Sequence, residues 1–248
     1  MTGLLIIGWI IFLFALARMV VSLVNMLSPL YLPNREDYSN SLVSVLIPAR
    51  NEAHNLPSLL NTLMNQDHFN LEILVYDDQS EDDTAEVVRR FAGEDERIHL
   101  LNGGTIPDGW FGKNYACHHL ASNARGEYLL FLDADVGVSN DLVRRSVAFS
   151  KQNNFSLLSI FPRQEVFSTG ERLTVPLMNW ILLTLLPMVL VRKSQNPSLA
   201  AANGQFMLFE ADCYKRHCWH EQVKDSLVED IEIIRMMKRE NYKVATLL

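Results

Sequence analysis

The stretch LVSVLIPARNE, residues 42–52, sets how the rest of the chain is read. Residues 42–48 are a short run of β-branched and apolar side chains, and the run ends in Pro48-Ala49-Arg50-Asn51-Glu52. A continuous apolar run closed by turn-forming and polar residues predicts a strand buried on both faces. Residues 54–65 then carry apolar side chains at helical spacing. The pairing repeats as strand 71–76 and helix 82–91, strand 97–101 and helix 113–124, strand 127–132 and helix 141–150. Such alternation predicts an α/β fold, a mostly parallel sheet covered by helices on both faces.

Upstream, residues 28–40 read as a linker containing Pro29, Pro33 and Asn34. Residues 4–27 before it are almost all apolar, interrupted by Arg18. About 20 apolar residues suffice to span a bilayer, and no basic leader or small-residue cleavage site argues for a signal peptide. A single N-terminal transmembrane anchor is expected, with Arg18 costing roughly 3 kcal/mol if centred and less if it snorkels. Arg35, Glu36 and Asp37 give little charge bias for orientation. The remaining domain is expected on the cytoplasmic side.

Downstream the rhythm changes. After a strand at 155–161, residues 173–191 form a long apolar stretch with Pro176 and Pro187, ending in Arg192 and Lys193. A second membrane span and an interfacial or re-entrant helix both fit it. A strand at 204–209, a helix at 226–240 and a strand at 242–248 follow, and the chain stops there as a fragment of a longer protein would.

Composition narrows the function. The 248 residues carry a formal net charge of -7, which argues against a nucleic-acid partner needing a basic face. Cys117, Cys213 and Cys218 are too few for a disulfide framework and suit a reducing compartment. Cys213, His217, Cys218 and His220 crowd together, but their spacing matches no common zinc pattern.

Each polar motif falls at the carboxyl end of an expected strand, where open parallel sheets bind ligands. Pro48 to Glu52 follows the first, Asp77-Asp78-Gln79-Ser80 the second, and Asp133-Ala134-Asp135 the fourth. In an extended segment, residues two apart share a face, so Asp133 and Asp135 could approach one hard cation. The plainer reading is a solvated turn capping the next helix. Ser80 and Asp83 read as a capping-box variant, which leaves Asp77 and Asp78 unexplained unless they accept ligand donors such as a base N–H or ribose hydroxyl.

Together, Pro48 to Glu52, Asp77 to Ser80, Gly112-Lys113, Asp133-Ala134-Asp135 and Glu229-Asp230 resemble the ordered signature of family 2 glycosyltransferases. Members of that family are inverting enzymes with the GT-A fold, a Rossmann-like nucleotide-binding domain. Residues 109–113 and 203–206 are similar to those of membrane-bound enzymes that glycosylate lipids, such as carotenoid- and hopanoid-pathway transferases and ceramide glucosyltransferases. The resemblance implies a nucleoside diphosphate sugar donor, UDP-linked by expectation, and a lipid acceptor at the membrane. It divides the chain into anchor 1–28, linker 29–41 and GT-A domain 42–248, with donor half about 42–138 and acceptor half about 139–248.

It also implies roles for residues. Pro48, Ala49 and Glu52, with Asp77 or Asp78, would hold the uridine part, and Lys113 would lie near the nucleotide. Asp135, supported by Asp133, would ligate Mn²⁺ or Mg²⁺. Asp230 would be the general base that takes the acceptor hydroxyl proton. Lys113 also reads as an exposed helix-start lysine, and Glu229-Asp230 as exposed helical acids. The Gln/Arg-x-x-Arg-Trp motif of processive and ceramide-type members does not occur after Asp230. Sharing a site with Asp133 and Asp135 requires Asp230 to lie on their side of the membrane, so residues 173–191 should not cross it.

Overall fold

Residues 43–49 are extended, and the sheet grows from them on both sides. The computed structural model describes residues 2–28, 31–33, 39–166 and 168–247. Helix α1 (Thr2–Leu27) precedes the sheet. Strands β1 (Val43–Ala49), β2 (Leu71–Asp77), β3 (Ile98–Asn102) and β4 (Tyr128–Leu132) alternate with α2 (Leu56–Met64), α3 (Thr84–Glu94) and α4 (Gly112–Asn123). Then come α5 (Leu142–Asn153), β5 (Leu157–Ile160), α6 (Thr169–Leu185), α7 (Met188–Lys193) and β6 (Phe206–Glu210). Helices α8 (Ala211–His217), α9 (Trp219–Gln222) and α10 (Glu229–Arg239) lead to β7 (Val244–Leu247).

The seven strands are ordered β3-β2-β1-β4-β6-β5-β7. β1 pairs in parallel with both β2 and β4, while β6 runs antiparallel to β4 and β5. The order reverses at β1, so the crevice for a ligand opens beyond the carboxyl ends of β1 and β4. One face of the sheet packs on α2, α3 and α5 through residues such as Leu60, Val88 and Val147. The other packs on α4, α8, α9 and α10 through Leu120, Tyr214, Trp219 and Ile234. The expected α/β, GT-A-like architecture is present, with one reversed strand.

Several expectations shift. Ser80 does not cap α3: the N-cap position is Asp83, and the Ser80 hydroxyl accepts from the Asn51 amide at 2.9 Å. The cysteine–histidine stretch builds α8 and α9, which periodicity did not reveal. There Tyr214 Oη and His220 Nδ1 lie 2.7 Å apart, and burial pulls the His220 pKa down to about 3. His217 stacks on Trp219, and among the described residues no group of three or more His, Cys, Asp or Glu could hold a metal. Of the linker, residues 29–30 and 34–38, including Pro29, Asn34, Arg35, Glu36 and Asp37, lie outside the described residues. Arg145 holds the carbonyls of Leu32 and Pro33.

Helix α1 has 26 residues, about 39 Å at 1.5 Å per residue. Among the described residues it is the one helix long and apolar enough to cross a membrane. The 173–191 stretch breaks at Leu186–Pro187 into α6 and α7, with Pro176 inside α6. Arg18 is not stranded in an apolar helix. Its guanidinium donates to Thr184 Oγ1 at 2.6 Å and lies 4.0 Å from the Trp180 ring centroid.

Candidate functional site

The strand-end loops after β1 and β2 are laced together. The Asn51 amide bonds to Ser80, Glu81 N donates to Asn51 Oδ1 at 2.8 Å, and Glu52 N donates to Thr84 Oγ1 at 2.8 Å. Asn51 and Gln79 both adopt left-handed backbone, at φ 58° and 56°, which lets each loop turn back on the other. Pro48 and Ala49 close β1, and the Ala49 carbonyl accepts from Asp78 N at 2.8 Å. Glu52 is occupied locally, accepting from Asn55 Nδ2 at 2.7 Å where α2 begins.

Asp77 and Asp78 differ within this loop. Asp77 Oδ1 accepts from Ser80 N at 3.2 Å. Asp78 is buried; its Oδ2 sits 3.9 Å from Arg50 Nη1, and its Oδ1 has no hydrogen-bond partner. A buried carboxylate oxygen left open is costly unless a ligand donor fills it. Gly112 lies against it: a Cβ there would stand 2.7 Å from Asp78 Oδ2 and force the carboxylate to shift.

The second cluster gathers around Lys113, in the first turn of α4. Lys113 Nζ lies 2.7 Å from Asp133 Oδ1 and 3.7 Å from Glu229 Oε1. Burial opposes the ammonium, but Asp133 and Glu229 overcome that and raise its pKa. Glu229 and Asp230 open α10, and burial raises both pKa values while Lys113 pulls them down. A Cβ at Gly204 would meet Glu229 Oε1 at 3.4 Å, Lys113 Nζ at 3.6 Å and Asp230 Cβ at 3.7 Å, so the four residues converge. The apolar neighbours Leu227 and Val228 are exposed, so it is the acids and not the apolar run that turn inward.

Asn114, which the sequence reading did not single out, explains why these elements meet. It is buried, and its amide donates to the carbonyls of Val223 at 2.8 Å, Lys224 at 3.3 Å and Ser226 at 3.0 Å. The turn that launches α10 is thereby fastened beside Lys113. Asparagine at a helix start carries no signal of so distant a partner.

Residues 133–136 form a turn, with Val136 N donating to the Asp133 carbonyl at 3.3 Å. The extended segment expected there is absent, so Asp133 and Asp135 do not share one face by strand alternation. Asp133 packs on Lys113, and Asp135 is exposed in a cleft of about 1580 Å³ that Tyr31, His54, Phe161 and Arg163 also line. Asp135, with Asp133 next to it, offers one or two carboxylates. That donor set fits a hard cation whose coordination is completed by phosphate oxygens and water.

The sequence profile of "Glycosyl transferase family 2" matches residues 44–217. A 4,4'-diaponeurosporenoate glycosyltransferase from Staphylococcus haemolyticus is 36% identical over 142 residues, 56% of this chain and 37% of that protein. The chain therefore spans well under half the length of that relative. Among solved structures, a mannosyltransferase from Pyrobaculum calidifontis in complex with GDP-Man and Mn²⁺ aligns with TM-score 0.65 at 20% identity, covering 95% of this chain and 64% of that one. TarS from S. aureus in complex with UDP-GlcNAc aligns with TM-score 0.56 at 20% identity, covering 83% and 56%.

Proposed function

Because the chain belongs to glycosyl transferase family 2, we propose that it moves one sugar from a nucleoside diphosphate donor, UDP-linked in the leading reading, to a hydroxyl of a membrane lipid. The observation that carries this reading is the convergence of Lys113, Asp133, Glu229 and Asp230 beyond the switch point of the sheet. Direct inversion needs a carboxylate to take the acceptor proton as the new bond forms, and Asp230 serves as that base. Its raised pKa makes it a better proton acceptor than a solvated aspartate. Lys113 holds positive charge beside the leaving diphosphate, in a protein of formal net charge -7. Pro48, Ala49 and Glu52 frame the nucleoside, with Asp77 or Asp78 contacting it through a base N–H or ribose hydroxyl. Asp135, with Asp133 beside it, would hold Mn²⁺ or Mg²⁺, which would supply positive charge to neutralise the diphosphate.

Helix α1 is the anchor in this reading, and the sugar-transfer domain stands on the cytoplasmic side. Exposed Leu173, Leu177, Trp180 and Ile181 on α6 suit an interfacial position beside it, where a lipid head can reach the cleft. Donor half and acceptor half, about 42–138 and 139–248, meet along β4 and β6.

A second reading changes the nucleophile to an anion, a lipid carboxylate or a polyprenyl phosphate, which needs no strong base. Arg163 favours it: the residue lines the cleft and makes no ion pair among the described residues. The relative from S. haemolyticus is also named for an acceptor ending in "-oate", a carboxylate.

Thermal shift with UDP-sugars and Mn²⁺ tests donor and metal together. Wild type should be stabilised, and Asp135→Ala should lose the metal-dependent part. Equal stabilisation of the variant rejects the metal assignment, and no stabilisation by any nucleotide sugar rejects the donor.

A further inference from the structure

Two polar side chains outside the site stand where they are costly. Asn25 is the buried residue near the end of a largely exposed apolar helix, and Lys238 of α10 is 1% exposed with no ion pair among the described residues. A buried amide or ammonium persists only where its hydrogen bonds are met. Asn25 meets them at the α6–α7 break, where α7 begins, and Lys238 meets them where α7 ends.

Asn25 Nδ2 donates to the carbonyls of Leu183 and Leu186 at 2.8 Å, and its Oδ1 accepts from Met188 N at 2.8 Å. One side chain thus closes the break between α6 and α7. At the other end, Lys238 Nζ donates to the carbonyls of Val191 and Ser194, both at 2.6 Å. Those oxygens lie where a helix runs out of its own donors, and a cation there also suits the helix dipole. Six residues are too few for α7 to hold its shape alone. Met188 and Val191 fix one side of it through burial, and the two clasps fix its ends. Arg18 adds a second tie from α1 through Thr184 and Trp180.

We infer that Asn25 and Lys238 are positioning residues that join the apolar N-terminal helix, through α7, to the helix carrying Glu229 and Asp230. The part of this that concerns turnover rests on the reading of Asp230 as the base. In a bilayer, apolar surfaces give little drive for one helix to choose another, so directed hydrogen bonds fix the docked pose. Helix α1 then does more than hold the protein at a membrane. Its docking fixes the last turn of α10, the helix itself carries that position to Glu229 and Asp230 at its other end, and the loops after β1 and β2 lie outside the connection.

The test uses the full-length protein in nanodiscs, with Asn25→Leu, Lys238→Met and the double variant. Amide exchange should rise in residues 186–194 and along α10 for each single variant, and stay unchanged in β1, β2 and β3. Turnover should fall roughly tenfold with donor KM unchanged, since misplacing a reacting group costs rate without costing donor affinity. The double variant should be no worse than the poorer single, because both cut one connection. Unchanged exchange at α10 in Asn25→Leu, or strictly additive losses, overturns the proposal. If Lys238→Met does not accumulate, exchange at α10 in Asn25→Leu decides alone. Should Asp230→Asn keep full turnover while the exchange response stands, the base assignment falls and the clasp survives.

Discussion

The acids at the end of β2 and the acids around Lys113, where β4 ends and α10 begins, are held by different forces. Asp77 and Asp78 sit in a loop laced by amide and hydroxyl hydrogen bonds, with one carboxylate oxygen left open. Asp133 and Glu229 instead share one ammonium, and burial shifts Glu229 and Asp230 toward the protonated form. The first arrangement is held by neutral hydrogen bonds. The second responds to protons and to charge. Residue type is the same in both, so the environment makes the difference.

The largest effect should come from emptying the second region of its cation. Lys113→Met leaves Asp133, Glu229 and Asp230 facing one another, and turnover should fall about a hundredfold, as for loss of a positioned charge stabiliser. Steady-state kinetics check it, and a loss below threefold would mean that the ammonium is peripheral. Next, Asp78→Asn should weaken donor binding about tenfold, one hydrogen bond to a charged group. Calorimetric titration reads that value.

Glu229→Gln separates the regions by pH. The folded-state pKa of Glu229 lies above its ordinary 4.5. Its contribution to stability is therefore greatest below that value and is lost as pH rises through the folded pKa. The variant should melt higher than wild type at neutral pH, and the two should converge below pH 4.5. A lower melting point at neutral pH would show that the Lys113 pair outweighs burial. The smallest effect belongs to Ser80→Ala, which removes the bond to the Asn51 amide and should cost about 1 kcal/mol. Chemical denaturation measures it, and the cost should persist in high salt because no ion pair is involved.

The β1 to β4 half was legible because buried parallel strands announce themselves as short apolar runs with breakers between them. Pro48, Asp77 and Asp133 fall at those ends as the runs predict. The order of β5, β6 and β7 was not legible, since three short runs carry no mark of which is reversed. Around 211–222, aromatic and cysteine residues pack on the sheet in helices too short for periodicity to register. Asp133 and Asp135 were placed on one face by assuming extended backbone; residues 133–136 turn instead, so strand alternation does not pair them. Glu229-Asp230 could be found by motif, but Asn114, Asn25 and Lys238 could not. Each acts on carbonyl groups distant in sequence, and a carbonyl has no side-chain signature.

The most direct measurement is sugar transfer from a labelled nucleotide sugar to membrane lipid by the full-length protein, comparing wild type with Asp230→Asn. The account predicts that the variant binds donor as wild type does but transfers 10²- to 10⁴-fold more slowly, the usual worth of a general base. Transfer at the wild-type rate would contradict it, and would point to an acceptor that arrives already ionised.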